Sequence, residues 1–588
     1  MADFDIIIQG GTVVDGTRLP RYVADIGIKD GRIAQIGGLG NGTAATADQV
    51  LDATGLIVAP GFVDLHTHYD AQIQWDAWCT ISGWHGVTSV VLGNCGFGFA
   101  PVREEERDRA MLTMSRTEAI PFESMQAGML WDWVTFPEWL DTLERIPKGL
   151  NVLSYVPVAP LMIWVMGLEA AKSRAATPEE RQEMQRLLHE AMDAGACGFS
   201  LQRFGENSIQ ADYDGTPMVT DTMVDEDILA LAEVLAERDE GFIQISQATE
   251  GLTGGDEDLR FQEKLAEVSR RPILHNIVGA GQDPKFHREK LKWLEECNRR
   301  GLRIFGQGAT LRAAFTFTLE DWNLYDNSPA WNLATTGTHE EKKAKLADPE
   351  IREAMKAETD AAVEKLQQTQ ALGGPIKDLM IQHVDSDPNW EQFVGLTVGQ
   401  MAETQDKDPI DAMLDLALAT DLKAEFLTQD RLQGSEQHAE NMAEMITSPY
   451  TVCGVSDGGA HTKFFTGGSY PTDFLSWMVR DSGKVSLEEA HYRLSYLPAH
   501  MAGFRDRGFL RDGAPADIVV YDLEGLRVTP DRWQGEIVHD FPAGEWRRVQ
   551  HAEGYRWIMV NGEVTFEDGE CTGATPGRLL RHGSAESR

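Results

Sequence analysis

Eight short apolar runs recur along the middle of this 588-residue chain, and amphipathic stretches separate several of them. We predict strands that end at His66 and that span residues 87–92, 151–155, 197–201, 241–246, 272–276, 302–307 and 451–457. Apolar residues at helical spacing predict helices over residues 178–194, 226–236, 261–270 and 286–300. Eight strands that alternate with helices predict an α/β fold, the (β/α)₈ TIM barrel, which carries its active site at the C-terminal ends of the strands. The alternative is an open doubly wound sheet, but no glycine-rich phosphate fingerprint follows the first of these strands.

Both ends of the chain show a different pattern, in which short apolar runs alternate with turn residues. Residues 6–33 and 516–566 carry such runs, including an Asn561-Gly562 hairpin turn. We therefore predict one small β domain built from residues 1–58 and 505–588, with the barrel over residues 59–504. Residues 316–449 separate the seventh and eighth strands and predict an insertion, either a lid over the active face or a packed accessory subdomain.

The composition argues against several kinds of partner. Lys and Arg number 53 against 93 Asp and Glu, which gives a net charge of −40. This charge repels phosphate backbones, so we expect no nucleic acid partner. No apolar window is long enough to span a bilayer, and the first residues lack a signal peptide, which predicts a cytoplasmic protein without a membrane partner. The acidic surface neither demands nor excludes a homo-oligomer.

Residues of metal-ligand type stand at several of the predicted strand ends. His66 and His68 are two residues apart, so their side chains point to the same side of an extended strand and can bring two imidazoles together. Cys95, His275 and Asp457 follow three other strands, and a barrel would bring all five to one mouth. Each of these three has a simpler interpretation as a buried thiol, a core histidine or a helix N-cap. Their joint position at strand ends favours a metal site.

Four stretches carry a resemblance to a known family. They are Pro60-Gly-Phe-Val-Asp-Leu-His-Thr-His68, His85-Gly-Val-Thr-Ser-Val-Val-Leu-Gly-Asn-Cys-Gly96, Val455-Ser-Asp-Gly-Gly-Ala-His461 and Ala514-Pro-Ala-Asp-Ile-Val-Val520. With them the chain resembles the amidohydrolase superfamily and, within it, the N-acyl-D-amino-acid deacylase (D-aminoacylase) group. The Asn-Cys-Gly element is the most specific, because most amidohydrolases bridge their metals with a carboxylated lysine on the fourth strand. Residues 197–202, the predicted fourth strand, contain no lysine.

The resemblance implies a set of metal ligands. His66, His68 and Asp457 would surround one metal position, and Cys95 would be a thiolate ligand of the other, with His275 as the candidate histidine of the sixth strand. Zinc, as one or two Zn²⁺ ions per chain, accepts such mixed nitrogen, sulfur and oxygen ligands. Asp457 would act as the general base that takes a proton from water and as the acid that returns it to the leaving amine.

The sequence also departs from the family pattern. The fifth strand has Ser246 and Gln247 where the group has a histidine, and neither is a good zinc ligand, so a single ion is one alternative. The polar residues that follow the third strand in relatives are apolar here. A substrate carboxylate would then need another cation, for which Arg203 and Arg312 are the candidates; a structural ion pair is the alternative for each. Gln247 and His461 complete the candidate substrate-binding residues.

The predicted function is therefore metal-dependent hydrolysis of an amide bond by an enzyme that acts on carbon–nitrogen bonds other than peptide bonds. The expected small-molecule substrate is an N-acyl-D-amino acid. A hydrolase of another amide, such as a cyclic amide or an amidated xenobiotic, is the first alternative. The second is a non-catalytic relative that keeps the fold for binding, although the retained His66, His68 and Asp457 argue against it.

Overall fold

The structure of this protein is a computed structural model. It describes residues 2–583 except 40–44, 207, 209, 250–253, 281–283, 313, 321–323, 326–327, 367–374, 385–387, 429–433, 464 and 531–534; for residues 286 and 360–366 only the backbone is described. Within these ranges no helix combines the length and the apolar character needed to cross a bilayer.

The strands of the described chain fall into a terminal set, a central set and an insertion set. In order they are β1 (Phe4–Val13), β2 (Tyr22–Lys29), β3 (Arg32–Gly37), β4 (Ala47–Asp52), β5 (Ile57–Pro60), β6 (Phe62–Asp64), β7 (Val87–Leu92), β8 (Asn151–Ser154), β9 (Val156–Pro157), β10 (Gly198–Arg203), β11 (Phe242–Gln247), β12 (Ile273–Gly279), β13 (Ile304–Ala309), β14 (Thr316–Phe317), β15 (Met380–His383), β16 (Glu425–Leu427), β17 (Thr451–Cys453), β18 (Ile518–Tyr521), β19 (Arg527–Thr529), β20 (Glu536–Val538), β21 (Arg547–Val549), β22 (His551–Glu553), β23 (Tyr555–Val560), β24 (Glu563–Glu567) and β25 (Glu570–Cys571).

The α-helices lie mostly between the central strands and in the insertion. They are α1 (Arg107–Glu118), α2 (Phe122–Gly128), α3 (Phe136–Arg145), α4 (Val158–Met166), α5 (Leu168–Ser173), α6 (Pro178–Ala194), α7 (Asp225–Arg238), α8 (Asp256–Ser269), α9 (Pro284–Arg299), α10 (Pro329–Thr335), α11 (His339–Ala347), α12 (Pro349–Leu366), α13 (Pro388–Glu391), α14 (Val398–Gln405), α15 (Pro409–Ala419), α16 (Glu436–Ile446), α17 (Tyr470–Phe474), α18 (Leu487–His491) and α19 (Leu497–Met501).

Helix α6 illustrates how local sequence sets these bounds. The Thr177 side chain accepts a hydrogen bond from the Glu180 N–H, the Glu180 side chain caps the Thr177 N–H in return, and Pro178 occupies the first turn. The helix ends at Gly195, whose φ of 110° is in the left-handed region that glycine tolerates. The prediction of a helix over residues 178–194 is confirmed.

Strands are present at all eight positions predicted in the middle of the chain. They pair in parallel and in sequence order, as β6-β7-β8 and as β9-β10-β11-β12-β13-β17. Only Tyr155 separates β8 from β9, and an isolated parallel bridge joins Thr67, beyond β6, to Gly458, beyond β17. The α/β class is confirmed.

The central strands turn one face toward a shared apolar cluster. Its members come from six of the strands or the residues just past them and include Val63, Leu65, Val91, Leu153, Phe242, Leu274 and Val452. Because side chains alternate along a strand, Leu274 on this face places His275 on the opposite face of β12. The same alternation along β11 and β12 decides on which face Gln247 and His275 lie.

Two other regions have cores of their own. The two ends of the chain share one sheet, with the order β25-β24-β23-β18-β5-β1-β2-β3 and β4 beside β1, over an apolar cluster that includes Ile8, Ile26 and Trp557. Residues between β13 and β16 form the sheet β14-β16-β15 and helices α10–α15, with a cluster around Trp331 and Phe426, whereas α16 packs into the main core.

Candidate metal centre

Three side chains of metal-ligand type meet just beyond β6 and β7. His66 and His68 follow β6, and their ring centroids are 5.6 Å apart. One donor atom each from His66, His68 and Cys95 lie within 4.8 Å of one another. All three side chains are buried. The structure therefore brings together three of the five residues predicted as ligands in one compact donor set.

The Asn-Cys-Gly element shapes the turn that presents Cys95. Cys95 has φ of +55°, a left-handed conformation that costs a non-glycine residue about 1–2 kcal/mol and that recurs at functional sites. The Asn94 amide donates to the Thr67 and Val91 carbonyls at 3.0 and 2.9 Å, which ties this turn to the histidine loop. The Cys95 sulfur lies 3.4 Å from His66 Nε2 and 3.3 Å from the Ser246 hydroxyl.

Asp457 also lies at this set, and it follows β17, the last strand of the central series. Its Oδ1 lies 3.2 Å from His66 Nε2 and 3.8 Å from His68 Nε2. Strand β17 ends at Cys453, so Asp457 stands on a loop, where its φ is +48°. Its side chain is 26% exposed, whereas both imidazoles are 1% exposed. Asp457 is thus the member of the set that solvent reaches most easily.

Gln307 orients one of the imidazoles. Its Oε1 lies 3.2 Å from Nδ1 of His66, on the side of the ring opposite the sulfur of Cys95. When Nδ1–H donates to this amide oxygen, the Nε2 lone pair of His66 faces the donor set. No motif in the sequence marks Gln307, although it is the last residue of the predicted seventh strand.

Burial shifts the pKa values of several groups at the centre. Burial and the neighbouring His66 and His461 hold the pKa of His68 well below its usual range, so this imidazole is neutral. Burial likewise raises the pKa of the Asp70 carboxyl to about 7. The pKa of the Cys95 thiol is raised well above its usual range by burial and then by nearby carboxylates. Neutral imidazoles beside buried acids form a set that a cation would stabilise.

A further carboxylate, Glu118, lies at this centre and was missed in the sequence. It is the last residue of α1 and is 1% exposed, with Oε2 3.9 Å from His68 Nε2 and 3.5 Å from His461 Nε2. No strand-end motif marks it in the sequence, and the structure places it at the C-terminus of α1, where the helix dipole disfavours an anion. His461, a predicted substrate-binding residue, therefore does face the centre.

His275 and Gln247 are placed elsewhere, which corrects their predicted position at the mouth. The His275 ring bonds through Nδ1 to Gln262 Oε1 at 2.9 Å and packs edge-on against Trp293, so it faces α8 and α9. Gln247 accepts from the Gln262 amide at 3.3 Å and faces the same layer. The reason is that side chains alternate along a strand. Leu274 and Ser246 point toward the interior, so their neighbours His275 and Gln247 point toward the helices.

The two candidate arginines are both engaged with carboxylates. Arg203 Nη1 lies 2.7 Å from Asp225 Oδ1, and its guanidinium stands over the Phe261 ring. Arg312 is buried and forms a two-pronged ion pair with Asp473. The ion-pair alternative describes both residues in this structure.

A cavity of about 270 Å³ opens beside Asp457. Tyr69, Phe465 and the glycines of residues 458–459 and 467–468 form part of its wall, and Arg547 and Arg548 reach it from β21. A Cβ at residue 459 would lie 2.8 Å from the His68 backbone, so glycine is required for this close approach. Strand β21, which pairs with β20 in a separate two-stranded sheet, thus supplies part of the wall next to the donor set.

Comparison with known proteins places this site in a family. The amidohydrolase family model matches residues 49–566. The chain belongs to the amidohydrolase family. This amidohydrolase is 37% identical to an N-acyl-D-glutamate deacylase of Alcaligenes xylosoxydans xylosoxydans over 584 residues, which cover 98% of this chain and 96% of the relative. An N-acyl-D-aspartate deacylase of the same organism is 27% identical, with 99% and 96% covered.

A solved structure shows the same fold. The N-acyl-D-glutamate deacylase of Bordetella bronchiseptica, complexed with zinc and a phosphonate inhibitor, aligns with a TM-score of 0.64 at 22% identity, over 98% of this chain and 99% of that one. The family predicted from the four motifs is confirmed, and so is the predicted class of enzyme, a hydrolase of carbon–nitrogen bonds other than peptide bonds.

Proposed function

We propose that this amidohydrolase removes the acyl group from N-acyl-D-amino acids, with zinc held by His66, His68, Cys95 and Asp457. The observation that carries the proposal is the meeting of two imidazoles, a thiol and the partly exposed Asp457 carboxylate in one site. This donor set fits zinc, which takes nitrogen, sulfur and oxygen ligands. The deacylases among the relatives support the choice of substrate.

The metal supplies one part of the chemistry and the protein supplies the rest. A bound zinc ion is a Lewis acid that activates water near neutral pH and polarises an amide carbonyl. Asp457 stands where it can accept the proton of the attacking water and pass it to the leaving nitrogen, since its carboxylate is both at the donor set and open to solvent. Gln307 keeps His66 oriented throughout.

The cavity beside Asp457 is the proposed substrate site. Arg547 and Arg548 line this cavity, whereas Arg203 and Arg312 do not, so they are the cations nearest to a carboxylate-bearing substrate bound there. Arg547 is itself held by Asp540, and Arg548 by Glu425 of the insertion. We assign the predicted substrate role to this cavity.

The same pairing pattern supports a proposal for the domain arrangement. We infer that the eight central strand positions close into a (β/α)₈ barrel, because the Thr67–Gly458 bridge joins the two ends of the series. Residues 1–58 and 505–588 would form the small β domain and residues 59–504 the catalytic barrel. Residues 316–449 would be the insertion, whose sheet and helices have a core of their own.

A chiral assay tests the proposed function. Racemic N-acetylated amino acids, including glutamate, aspartate and leucine, are incubated with zinc-loaded enzyme, and the free amino acid is resolved by enantiomer. We expect release of the D-enantiomer alone. If no N-acetylated amino acid is hydrolysed but a cyclic amide is, the enzyme is a hydrolase of another amide, the first alternative. If the protein holds no metal and hydrolyses nothing, a binding protein is favoured.

A further inference from the structure

Glu118 is a buried carboxylate at the metal centre that the proposed mechanism does not use. Its side chain is 1% exposed, and neither carboxylate oxygen meets a hydrogen-bond donor within the described part of the chain. An ionised carboxylate in such surroundings is costly unless several donors or a cation compensate its charge. The structure therefore leaves Glu118 in need of a positively charged partner.

Glu118 stands beside His68, one of the proposed zinc ligands, and beside His461. Two ligands bound tetrahedrally to zinc at about 2.0–2.3 Å lie about 3.3–3.7 Å apart. Glu118 Oε2 is 3.5 Å from His461 Nε2 and 3.9 Å from His68 Nε2. These separations resemble the 3.2 and 3.8 Å between Asp457 Oδ1 and the two imidazoles. The carboxylate of Glu118 stands against the same His68 nitrogen as that of Asp457.

Strand β11 explains why such a ligand is needed. Ser246 is the residue of β11 that faces the centre, with its hydroxyl 3.3 Å from Cys95 Sγ, and a hydroxyl is a poor zinc ligand. His275 of β12 faces the helices and contributes nothing there. Neither β11 nor β12 therefore supplies an imidazole or carboxylate donor at the centre.

We propose that Glu118 is a carboxylate ligand of the zinc centre and supplies the donor that β11 and β12 do not provide. The inference rests on the proposed function, because it assumes a metal centre at His66, His68, Cys95 and Asp457. The proposal adds the last residue of α1 to the metal site, whereas the ligands predicted from the sequence all follow strands.

Cobalt binding tests this assignment with a readout that is independent of activity. Metal-free full-length enzyme and the Glu118→Gln variant are titrated with Co²⁺ against a chelating indicator, and visible spectra are recorded. We expect Glu118→Gln to bind Co²⁺ about 100-fold more weakly or worse, because loss of even an outer-shell partner costs 10–100-fold. The thiolate-to-cobalt band from Cys95 should persist while the d–d bands change with the altered ligand set.

Stability supplies a second readout that separates ligation from a structural role. Glutamine keeps the shape of Glu118 and removes only its capacity to become an anionic ligand, so the metal-free variant should melt at about the wild-type temperature. Its melting temperature should then rise less than that of wild type when Co²⁺ is added. A metal-free variant that melts lower yet binds Co²⁺ with wild-type affinity would overturn the assignment.

Asp70→Asn is the matched control. Asp70 is also buried and its charge also acts on Glu118, but its carboxylate accepts a hydrogen bond from the Gly93 N–H. If Glu118 acted only through its charge, both variants would weaken Co²⁺ binding by a similar factor, and ligation would be refuted. Wild-type enzyme that binds no metal and hydrolyses no N-acyl amino acid would refute the proposed function itself, which is a different result.

Discussion

The Asp457 carboxylate lies 3.2 Å from the Nε2 atom of His66, although one residue follows the first central strand and the other follows the last. This contact brings a solvent-accessible proton acceptor against a buried imidazole. It also positions Asp457 at the cavity that we propose for the substrate.

Asp457→Asn should lower kcat about 10²–10⁴-fold at saturating zinc, because the amide cannot accept the proton that the carboxylate takes. The measurement is steady-state turnover of the best N-acyl-D-amino acid, with bound zinc determined on the same samples. Asp225→Asn, which alters an exposed carboxylate on α7, is the control and should retain near-wild-type kcat. Unchanged kcat in Asp457→Asn would refute the assigned role.

Cys95→Ser should weaken zinc binding at least about 10-fold and abolish the thiolate-to-metal charge-transfer band of the cobalt form, because a hydroxyl replaces the soft sulfur donor. Competition with a chelator gives the affinity. Cys571 is exposed, so Cys571→Ser should match wild type in both measurements. A cobalt spectrum with the thiolate band intact in Cys95→Ser would exclude this sulfur as a ligand.

Arg312→Met should destabilise the protein by about 3–5 kcal/mol, because it leaves the buried Asp473 carboxylate without its partner. KM should stay unchanged, since this arginine is occupied by Asp473 and does not meet the substrate. Denaturant unfolding and steady-state kinetics measure the two quantities, and Arg312→Met with Asp473→Leu should recover much of the lost stability. A large rise in KM without destabilisation would instead restore Arg312 as the substrate cation.

Lys290 predicts a pH dependence of stability away from the metal centre. Burial lowers the pKa of its ammonium from the ordinary 10.5 to about 8, and Nζ has no hydrogen-bond partner among the described residues. Between pH 8 and 10.5 the unfolded chain binds more protons at this residue than the folded one, so the free energy of unfolding rises with pH in that window.

Lys290→Met should therefore stabilise the protein at pH 7, and the gain should shrink between pH 8 and 10.5. Thermal unfolding of both proteins across this range provides the test. Lys292→Met is the matched control, because Lys292 is 76% exposed on the same helix and should show no such trend. An equal gain at pH 7 and pH 10.5 would contradict the buried-ammonium explanation.

The sequence by itself determined the α/β class, the strand positions and the donor types. Apolar runs and helical spacing locate strands and helices because those patterns depend on neighbouring residues alone. Local capping fixed α6 to the residue, since Thr177, Glu180 and Gly195 act within one turn of its ends. The four family motifs identified the amidohydrolase family for the same reason, because each is a continuous stretch of chain.

Only the tertiary structure decided which side chains share the site. The face of β12 on which His275 lies depends on how that strand packs. A shift of one residue moves a side chain from the interior face to the face covered by helices. Glu118 could not be selected in advance, because its approach to His68 results from the packing of α1 against loops far away in sequence. Local motifs therefore predict the types of the ligand residues, whereas the complete ligand set depends on how the chain folds.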